Sequence, residues 1–288
     1  MALKRGMKFG AHSFIWTGHF VGRDDSIFAE AAACGYDGVE IALAGPEAID
    51  WPRVALAQDH YKLSVVLCAT QPPGLSLASA DPSTRKAAIA HVTAIMERAR
   101  ALGSDIVTGP MLNPVGALSG APPRDDEKAA LLNSSKSLAE IAERMGMRLA
   151  LEPLNRFQGY LLTRVNDGIE LCRQTGSSSI GLLLDLFHMN IEETSIASAI
   201  RRAGQHCFHI HVSACDRGIP GSDTFDWGSL CTALVDINYQ EWITVETFCF
   251  TEPDAAAKAH IWHPPQMTSR NAAAASIAHL RNVFSNNT

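Results

Sequence analysis

Long apolar runs are missing from this chain of 288 residues: no stretch reaches the ~18 consecutive apolar residues that a membrane-spanning helix needs. No apolar segment follows Lys4 and Arg5 near the start, so the segment from Met1 to Met7 does not resemble a secretory signal. Lysine and arginine form no cluster and the net charge is −6, which is not the electrostatic footprint of a nucleic-acid-binding protein. We therefore expect neither a membrane nor a nucleic acid as a partner.

Cysteine pairs with the spacing of a metal or redox motif are also missing. The seven cysteines are odd in number and none forms a Cys-x-x-Cys motif. This usage is typical of reduced, buried thiols in a cytoplasmic protein. Hydrophobic residues make up 47% of the chain and charged residues 19%, which is enough for a large core. We therefore expect a globular protein of the cytoplasm.

One pattern recurs along the chain: an amphipathic stretch ends at a glycine, such as Gly35, Gly103 or Gly146, and a short apolar run follows. Glycine is a common helix stop because it adopts the left-handed conformation without a clash at Cβ. The candidate strands are residues 8–13, 38–42, 63–68, 105–108, 148–152, 180–185, 208–211 and 243–246. Alternating strands and helices predict a parallel α/β sheet, and eight such units predict a (β/α)8 TIM barrel that spans residues 1–288 as a single domain.

Two long connections interrupt this rhythm after the fourth and seventh strands. Residues 109–126 contain four prolines and three glycines, and residues 213–226 contain Gly218, Pro220 and Gly221. Both segments leave the carboxyl ends of strands, which form the catalytic face of such a barrel. Loops of this length in a compact domain are usually functional or disordered.

Four polar residues stand at the ends of four successive apolar runs: Glu152, Asp185, His211 and Glu246. Their separations of 33, 26 and 35 residues each approximate one βα unit of about 30 residues, so they are predicted to lie on strands five to eight. A single acid at a strand end is more often a helix cap or a surface charge. Three carboxylates brought together with an imidazole would repel one another unless a cation held them. The pattern therefore predicts a metal site.

The ligand types indicate which metal such a site prefers. An oxygen-rich set with one imidazole suits Mn²⁺, Mg²⁺ or Co²⁺, and zinc remains an alternative. His209 precedes His211 by two residues. Because side chains alternate along a strand, His209 shares the face of His211, and we expect it one layer deeper.

Two sequence strings resemble a known family. The segment 185–193 reads DLFHMNIEE and the segment 152–157 reads EPLNRF, and both closely resemble the ketose 3-epimerases. These are the D-tagatose, D-allulose (psicose) and L-ribulose 3-epimerases of the xylose-isomerase-like TIM-barrel superfamily. The resemblance runs from residue 9 to residue 246 and includes DRGIPG at 216–221.

The resemblance implies that the four strand-end residues hold one divalent ion, usually Mn²⁺. It also implies that His188 and Arg217 contact the substrate near its carbonyl oxygen, and that the protein is a homodimer or homotetramer. From the residues alone, His188 could instead line a helix entry, and Arg217 could pair on the surface with Asp216 or Asp223. No glycine-rich loop opens a helix beside a basic cluster, so the expected small-molecule partner is a free ketose and not a sugar phosphate.

The chemistry of epimerisation at C3 requires these residue types. Removal of the C3 proton next to a C2 ketone gives a cis-enediolate, whose charge a cation stabilises as it develops. Inversion then needs a base on one face of the substrate and an acid on the other. Glu152 and Glu246, on the fifth and eighth strands, are the predicted acid/base pair.

The remaining candidate residues concern the substrate. Gln158 stands where the family commonly has a glutamate that contacts the O1–O2 end, so this chain departs from the family there. His12 either bonds distal hydroxyls or is a satisfied barrel histidine. Trp16, Cys68 and Phe248 are candidate apolar walls for the C4–C6 end, although such residues generally belong to the core. Asp226 is predicted to cap the next helix, Asn190 with Glu193 is predicted to form a capping box, and residues 271–284 are predicted to form a final helix.

Three other functions compete with a ketose 3-epimerase. The first is another metal-dependent sugar enzyme: an aldose–ketose or hydroxypyruvate-type isomerase, or a dehydratase or lyase acting on a 3-keto sugar. The second is a phosphodiester hydrolase of the endonuclease IV type, which needs a histidine-rich multi-zinc site and a basic surface that the sequence lacks. The third is a silent sugar-binding protein, which would require the loss of a metal ligand, and all four ligands are present.

Overall fold

The computed structural model describes residues 6–23, 25–43 and 49–286. Lys4 and Arg5, which bear on the expected absence of a secretory signal, lie outside the described residues. Within these ranges no helix combines the length and apolar character that crossing a bilayer requires.

Eight parallel strands pair in chain order and close into a barrel, because the first strand also pairs with the last. The strands are Lys8–His12 (β1), Gly38–Leu43 (β2), Ser64–Ala69 (β3), Ile106–Gly109 (β4), Arg148–Leu151 (β5), Ile180–Asp185 (β6), Cys207–Val212 (β7) and Trp242–Val245 (β8). The predicted TIM barrel is confirmed, and no strand boundary differs from its prediction by more than one residue. Continuous apolar runs are the sequence signature of strands covered on both faces.

Helices follow the strands and cover the outside of the barrel. They are Ser26–Cys34 (α1), Trp51–Tyr61 (α2), Pro82–Ala101 (α3), Asp125–Met145 (α4), Val165–Thr175 (α5), Leu186–Glu192 (α6), Ile196–Ala203 (α7), Trp227–Asp236 (α8), Pro253–Lys258 (α9) and Ser269–Asn286 (α10). Gly35 and Gly146 end α1 and α4 with φ of 84° and 65°, the left-handed stop that the sequence predicts.

Two of the three predictions about helix ends are confirmed. Asp226 accepts a hydrogen bond from the backbone N–H of Ser229 and caps α8, and the final helix α10 includes the predicted range. The predicted capping box of Asn190 with Glu193 is wrong. Asn190 lies inside α6, and Ser195 caps α7. Glu193 instead accepts from the backbone N–H of Val165, which joins α6 to the start of α5.

The barrel interior is layered along its axis. Five residues fill the buried interior away from the site: Val66, Ile106, Ala150, Leu183 and Trp242. Above this apolar layer the inward positions become polar, and the carboxyl ends of the strands carry the candidate site. The long loops 110–124 and 213–226 leave β4 and β7 at this same end, as predicted.

Candidate functional site

The four strand-end residues lie on adjacent strands at one end of the barrel, as predicted. Glu152 directly follows β5, Asp185 ends β6, His211 lies in β7 opposite Asp185, and Glu246 directly follows β8. Their exposed fractions are 4%, 1%, 0% and 5%, so all four are buried. Three acids are therefore held out of water within one region, where charges interact much more strongly than in solvent.

Asp185 serves both of the roles that a strand-end acid can have. Its Oδ1 accepts a hydrogen bond of 3.0 Å from the backbone N–H of Phe187 and caps α6. Its Oδ2 accepts a 2.6 Å hydrogen bond from Nη1 of Arg217 inside the site. A helix cap and a candidate ligand are thus the same residue, because the helix starts directly at the strand end.

Arg217 reaches into the site from the loop after β7. Its Nη1 also donates to Oε2 of Glu246 at 2.5 Å, and its guanidinium lies over the rings of Phe187 (4.1 Å) and Phe248 (4.8 Å). The residue adopts φ of +67°, an unfavourable conformation for a side chain with a Cβ, within a turn closed by the bond from its N–H to the carbonyl of Ala214. The alternative that Arg217 pairs on the surface is wrong.

His188 lies on α6 with its ring turned towards the carboxylates. Its Nε2 lies 3.5 Å from Oε1 of Glu152, 3.4 Å from Oδ2 of Asp185 and 3.1 Å from Nη2 of Arg217. Burial, followed by repulsion from Arg217, lowers the pKa of His188 well below its usual value, so the ring is neutral.

The tautomer of His188 follows from its other nitrogen. Nδ1 lies 3.1 Å from the backbone N–H of Asn155, which can only donate. The ring proton of neutral His188 is therefore on Nε2, and Nε2–H faces the N–H groups of Arg217. Both donors are satisfied when one acceptor oxygen lies beside the pair, within hydrogen-bond reach of each nitrogen.

The two glutamates differ in their electrostatic surroundings. Burial, followed by repulsion from Glu246, raises the pKa of Glu152 well above its usual range. Burial acts in the same direction on Glu246, but Arg217 and His211 outweigh it and lower the pKa of Glu246. Carboxyl groups whose surroundings separate their pKa values are suited to opposite acid and base roles.

His12 is fully buried at the end of β1, beside Glu246. Its Nδ1 accepts from the backbone N–H of Phe14 at 3.3 Å, and burial lowers its pKa to about 4. Its Nε2 has no hydrogen-bond partner and lies 3.9 Å from Oε1 of Glu246. A neutral ring with an unused N–H aimed at the site favours the substrate-contact interpretation over that of a satisfied barrel histidine.

The other predicted substrate residues lie in different parts of the site. Gln158 and Glu152 line one cleft at the carboxyl end of the barrel. Cys68 is buried in β3. Burial raises the pKa of its thiol, and the negative charges nearby raise it further; these belong to Glu40, Glu152 and Glu246. Phe248 contacts Arg217 as described above.

Trp16 is the weakest of the predicted substrate residues. Its indole N–H donates to Glu30 of α1 at 2.7 Å, and the ring packs against the main core. These contacts are those of a structural residue, and its role in the site stays a prediction.

Sequence analysis missed several buried polar residues that support the site. Glu40 in β2 accepts hydrogen bonds from both His209 and His211, and Asn155 orients His188. Glu192 binds Arg156 through both carboxylate oxygens, so the final residues of the DLFHMNIEE string tie α6 to the loop after β5. A glutamate inside the apolar run 38–43 is the one local signal that could have drawn attention to Glu40.

The donors present fit a divalent cation. Glu152, Asp185 and His188 bring ligand atoms within 4.8 Å of one another, and Arg217 holds Glu246 against Asp185. Nδ1 of His211 is buried without a hydrogen-bond partner, 3.4 Å from Oε2 of Glu246. Burial disfavours the charged form of His211, but the charges of Glu40 and Glu246 outweigh it and raise the pKa of His211 well above its usual value. A cation bound by His211 would therefore take the place of the proton on Nδ1.

Comparison with known proteins identifies the family of this chain. The profile of the xylose isomerase-like TIM barrel family matches residues 28–282. The chain is 38% identical over 281 residues to a probable ketose 3-epimerase of Synechocystis sp., with 98% of each chain covered. It is 29% identical over 264 residues to a D-psicose 3-epimerase of Enterocloster bolteae, which covers 89% of this chain and 87% of that one.

A solved structure has the same fold. D-allulose 3-epimerase from Methylomonas sp., in complex with D-allulose, superposes with a TM-score of 0.89 at 25% identity and covers 98% of this chain and 99% of that one. The resemblance to the ketose 3-epimerases is thus confirmed along nearly the whole chain. The chain therefore belongs to the xylose isomerase-like TIM barrel family, and it is an isomerase of the epimerase type.

Proposed function

We propose that this enzyme epimerises free ketoses at C3, with substrates of the D-tagatose, D-fructose/D-allulose or L-ribulose type. The similarity to ketose 3-epimerases over nearly the full length of the chain supports this assignment. One divalent ion held by Glu152, Asp185, His211 and Glu246 completes the site. Mn²⁺ is the first candidate, and Co²⁺ and Mg²⁺ also suit the donor set.

The observation that carries the proposal is the convergence of two N–H donors on one point. Nε2 of His188 and Nη2 of Arg217 are 3.1 Å apart at the carboxyl end of the barrel. An oxygen that accepts from both gains charge-assisted hydrogen bonds as it becomes negative, which is the arrangement that lowers the barrier to enolisation. The ketone oxygen at C2 is the group of a ketose that develops this charge.

Glu152 and Glu246 are the proposed proton carriers. Each follows a strand at the same barrel end, and their charges act on each other, as the pKa of Glu152 reflects. One glutamate removes the C3 proton and the other delivers a proton to the opposite face, with the roles exchanged in the reverse reaction. The bound cation would supply charge stabilisation for the enediolate.

Arg217 would compete with a bound cation for the same carboxylate oxygens. Its Nη1 occupies an oxygen of Asp185 and an oxygen of Glu246 at the same time. A cation held by Asp185 and Glu246 would weaken these hydrogen bonds by neutralising the carboxylates. Arg217 would then be able to contact the substrate, which is the role that the family resemblance implies for it.

The wall of the substrate site is assigned from the residues that face it. Gln158 is proposed to bind the O1–O2 end, and Nε2–H of His12 is proposed to donate to a distal hydroxyl. Cys68 and Phe248 form the apolar side, with Trp16 as a further candidate. The resemblance also implies a homodimer or homotetramer, and the cysteine usage indicates the cytoplasm; both properties stay predictions.

Turnover in D₂O tests the proposed reaction and distinguishes it from the alternatives. For C3 epimerisation we expect one solvent deuterium at C3 of the product, because the abstracted proton is replaced on the opposite face. An aldose–ketose isomerase would place deuterium at C1 or C2, and a dehydratase or lyase would not return an isomeric sugar. NMR of the product sugars from a panel of free ketoses gives the position of the label. Deuterium confined to C1 or C2 would contradict the proposal.

Gln158→Glu tests the departure from the family pattern. The substitution preserves the shape of the side chain and adds a charge in the cleft that Glu152 also lines. We expect KM or the preference among ketoses to change by about tenfold, which corresponds to ~1.4 kcal/mol, with the metal content unchanged.

Asn113→Asp is the matched control for Gln158→Glu, because Asn113 lines the same cleft and the substitution adds the same charge. An equal change in both variants would indicate a general effect of charge and not a contact of residue 158. A silent Gln158→Glu across the whole panel would remove this position from the specificity site.

A further inference from the structure

A buried carboxylate lies directly beneath the candidate metal site. Glu40, in the middle of β2, is 1% exposed. Its Oε2 lies 2.8 Å from Nε2 of His209, and its Oε1 lies 3.0 Å from Nε2 of His211 and accepts from Thr108 at 2.5 Å. Three donors from β4 and β7 thus converge on one acid of β2.

The geometry specifies the protons in this cluster. A buried carboxylate is stable only when hydrogen-bonded groups compensate its charge. An ionised carboxylate can only accept hydrogen bonds, so each imidazole must present an N–H to it. Nε2 of His211 therefore keeps a proton directed at Glu40, so the nitrogen that can exchange its proton for a cation is Nδ1. That nitrogen has no hydrogen-bond partner and lies on the side of Glu246.

We infer that Glu40 is a positioning residue that acts through His211, by selecting Nδ1 as the nitrogen that binds the cation. The inference rests on the proposed function, since it assigns His211 as a ligand. Acceptors of this kind hold the ring orientation and the tautomer of a ligating histidine and increase its basicity. Glu40 itself is not assigned as a ligand, because it lies in the middle of β2, beneath the strand ends, where His209, His211 and Thr108 all bind it.

His209 provides the matched comparison, because it shares the same carboxylate without facing the site. Its Nε2 lies near Oε2 of Glu40 and 3.1 Å from Oγ1 of Thr244, and it is as buried as His211. If Glu40 served only to compensate the buried histidines, removing Glu40 and removing His209 would have the same effect on metal binding. If it acts through His211, only the loss of Glu40 weakens the metal site.

The test compares Glu40→Gln with His209→Gln in titrations of the metal-stripped protein with Mn²⁺ and Co²⁺. We expect the dissociation constant to rise by about 10–100-fold in Glu40→Gln and to stay at the wild-type value in His209→Gln. Equal affinity in wild type and Glu40→Gln would overturn the inference while the proposed metal site stands. An equal loss in both variants would also overturn it, since the effect would then belong to the buried cluster as a whole.

A second measurement needs no substitution and decides the matter if Glu40→Gln does not fold. The wild-type protein is loaded with Zn²⁺, which is diamagnetic, and the ring nitrogens of His211 are assigned by ¹⁵N NMR. We expect a proton on Nε2 and coordination through Nδ1. Coordination through Nε2, or a proton on Nδ1, would overturn the inference. Absence of any divalent-ion binding by the wild type would overturn the proposed metal site and this inference with it.

Discussion

Stripping the protein of divalent ions with a chelator is expected to reduce epimerisation to the background rate, and added Mn²⁺ or Co²⁺ is expected to restore it. The donors Glu152, Asp185 and Glu246 are at most 5% exposed, so their mutual repulsion is poorly screened. Enolisation adds a further negative charge at the same place. A divalent cation contributes several kcal/mol of charge stabilisation to such a transition state.

The chelation experiment requires metal content and activity to be measured on the same sample. Circular dichroism serves as the control for folding, and we expect the stripped protein to keep its barrel because Arg217 pairs with Asp185 and Glu246. Loss of the fold together with activity would leave no conclusion about catalysis, so recovery on adding metal to folded, stripped protein is the decisive measurement. Full turnover by folded protein that contains no metal would show that the proposed cation is not required.

Replacement of Glu152 or Glu246 by glutamine is expected to lower kcat by a factor of about 10²–10⁴, the usual contribution of a general acid or base. Glutamine keeps a coordinating oxygen and nearly the same volume, but it cannot carry the transferred proton. Weaker metal binding is expected as well, so kcat is compared at saturating Mn²⁺ with bound metal determined in each sample.

Asp185→Asn is the matched control for these two variants. Asp185 is a proposed ligand of the same ion, but its oxygens are occupied by Phe187 N–H and Arg217 and no proton transfer is assigned to it. We expect Asp185→Asn to weaken metal binding and to recover much more of the wild-type kcat at saturating metal. If Glu152→Gln or Glu246→Gln binds metal and retains more than about a hundredth of the wild-type rate, the assignment of two proton carriers is wrong.

The sequence predicted the barrel well because its strands and helix stops are local features. A parallel strand covered on both faces is an uninterrupted apolar run, and a helix stop such as Gly35 needs only the residues around it. Once eight strands are recognised, the barrel brings all their carboxyl ends to one face. This is why the sequence alone is enough to group Glu152, Asp185, His211 and Glu246, although their roles in catalysis stay predictions.

Residues whose orientation depends on long-range contacts were harder to assign. Arg217 had two open interpretations, because its direction depends on a turn with positive φ that closes only against Ala214 and on the rings of Phe187 and Phe248. For His188, the residues alone left both a helix entry and a site contact open, and the family resemblance favoured the site. Its orientation follows from a backbone N–H of Asn155, 33 residues earlier in the chain.

By itself, the sequence determined the order of strands and helices, the barrel class and the four polar strand ends, because hydrophobic periodicity, turn residues and the geometry of parallel strands act over a few residues at a time. Only the tertiary structure decided what lies beneath and between those ends. Glu40 and His209 are 169 residues apart and meet because the barrel closes with β2 and β7 facing across its interior. Hydrogen bonds between such distant groups depend on strand register and closure, and a local pattern contains neither.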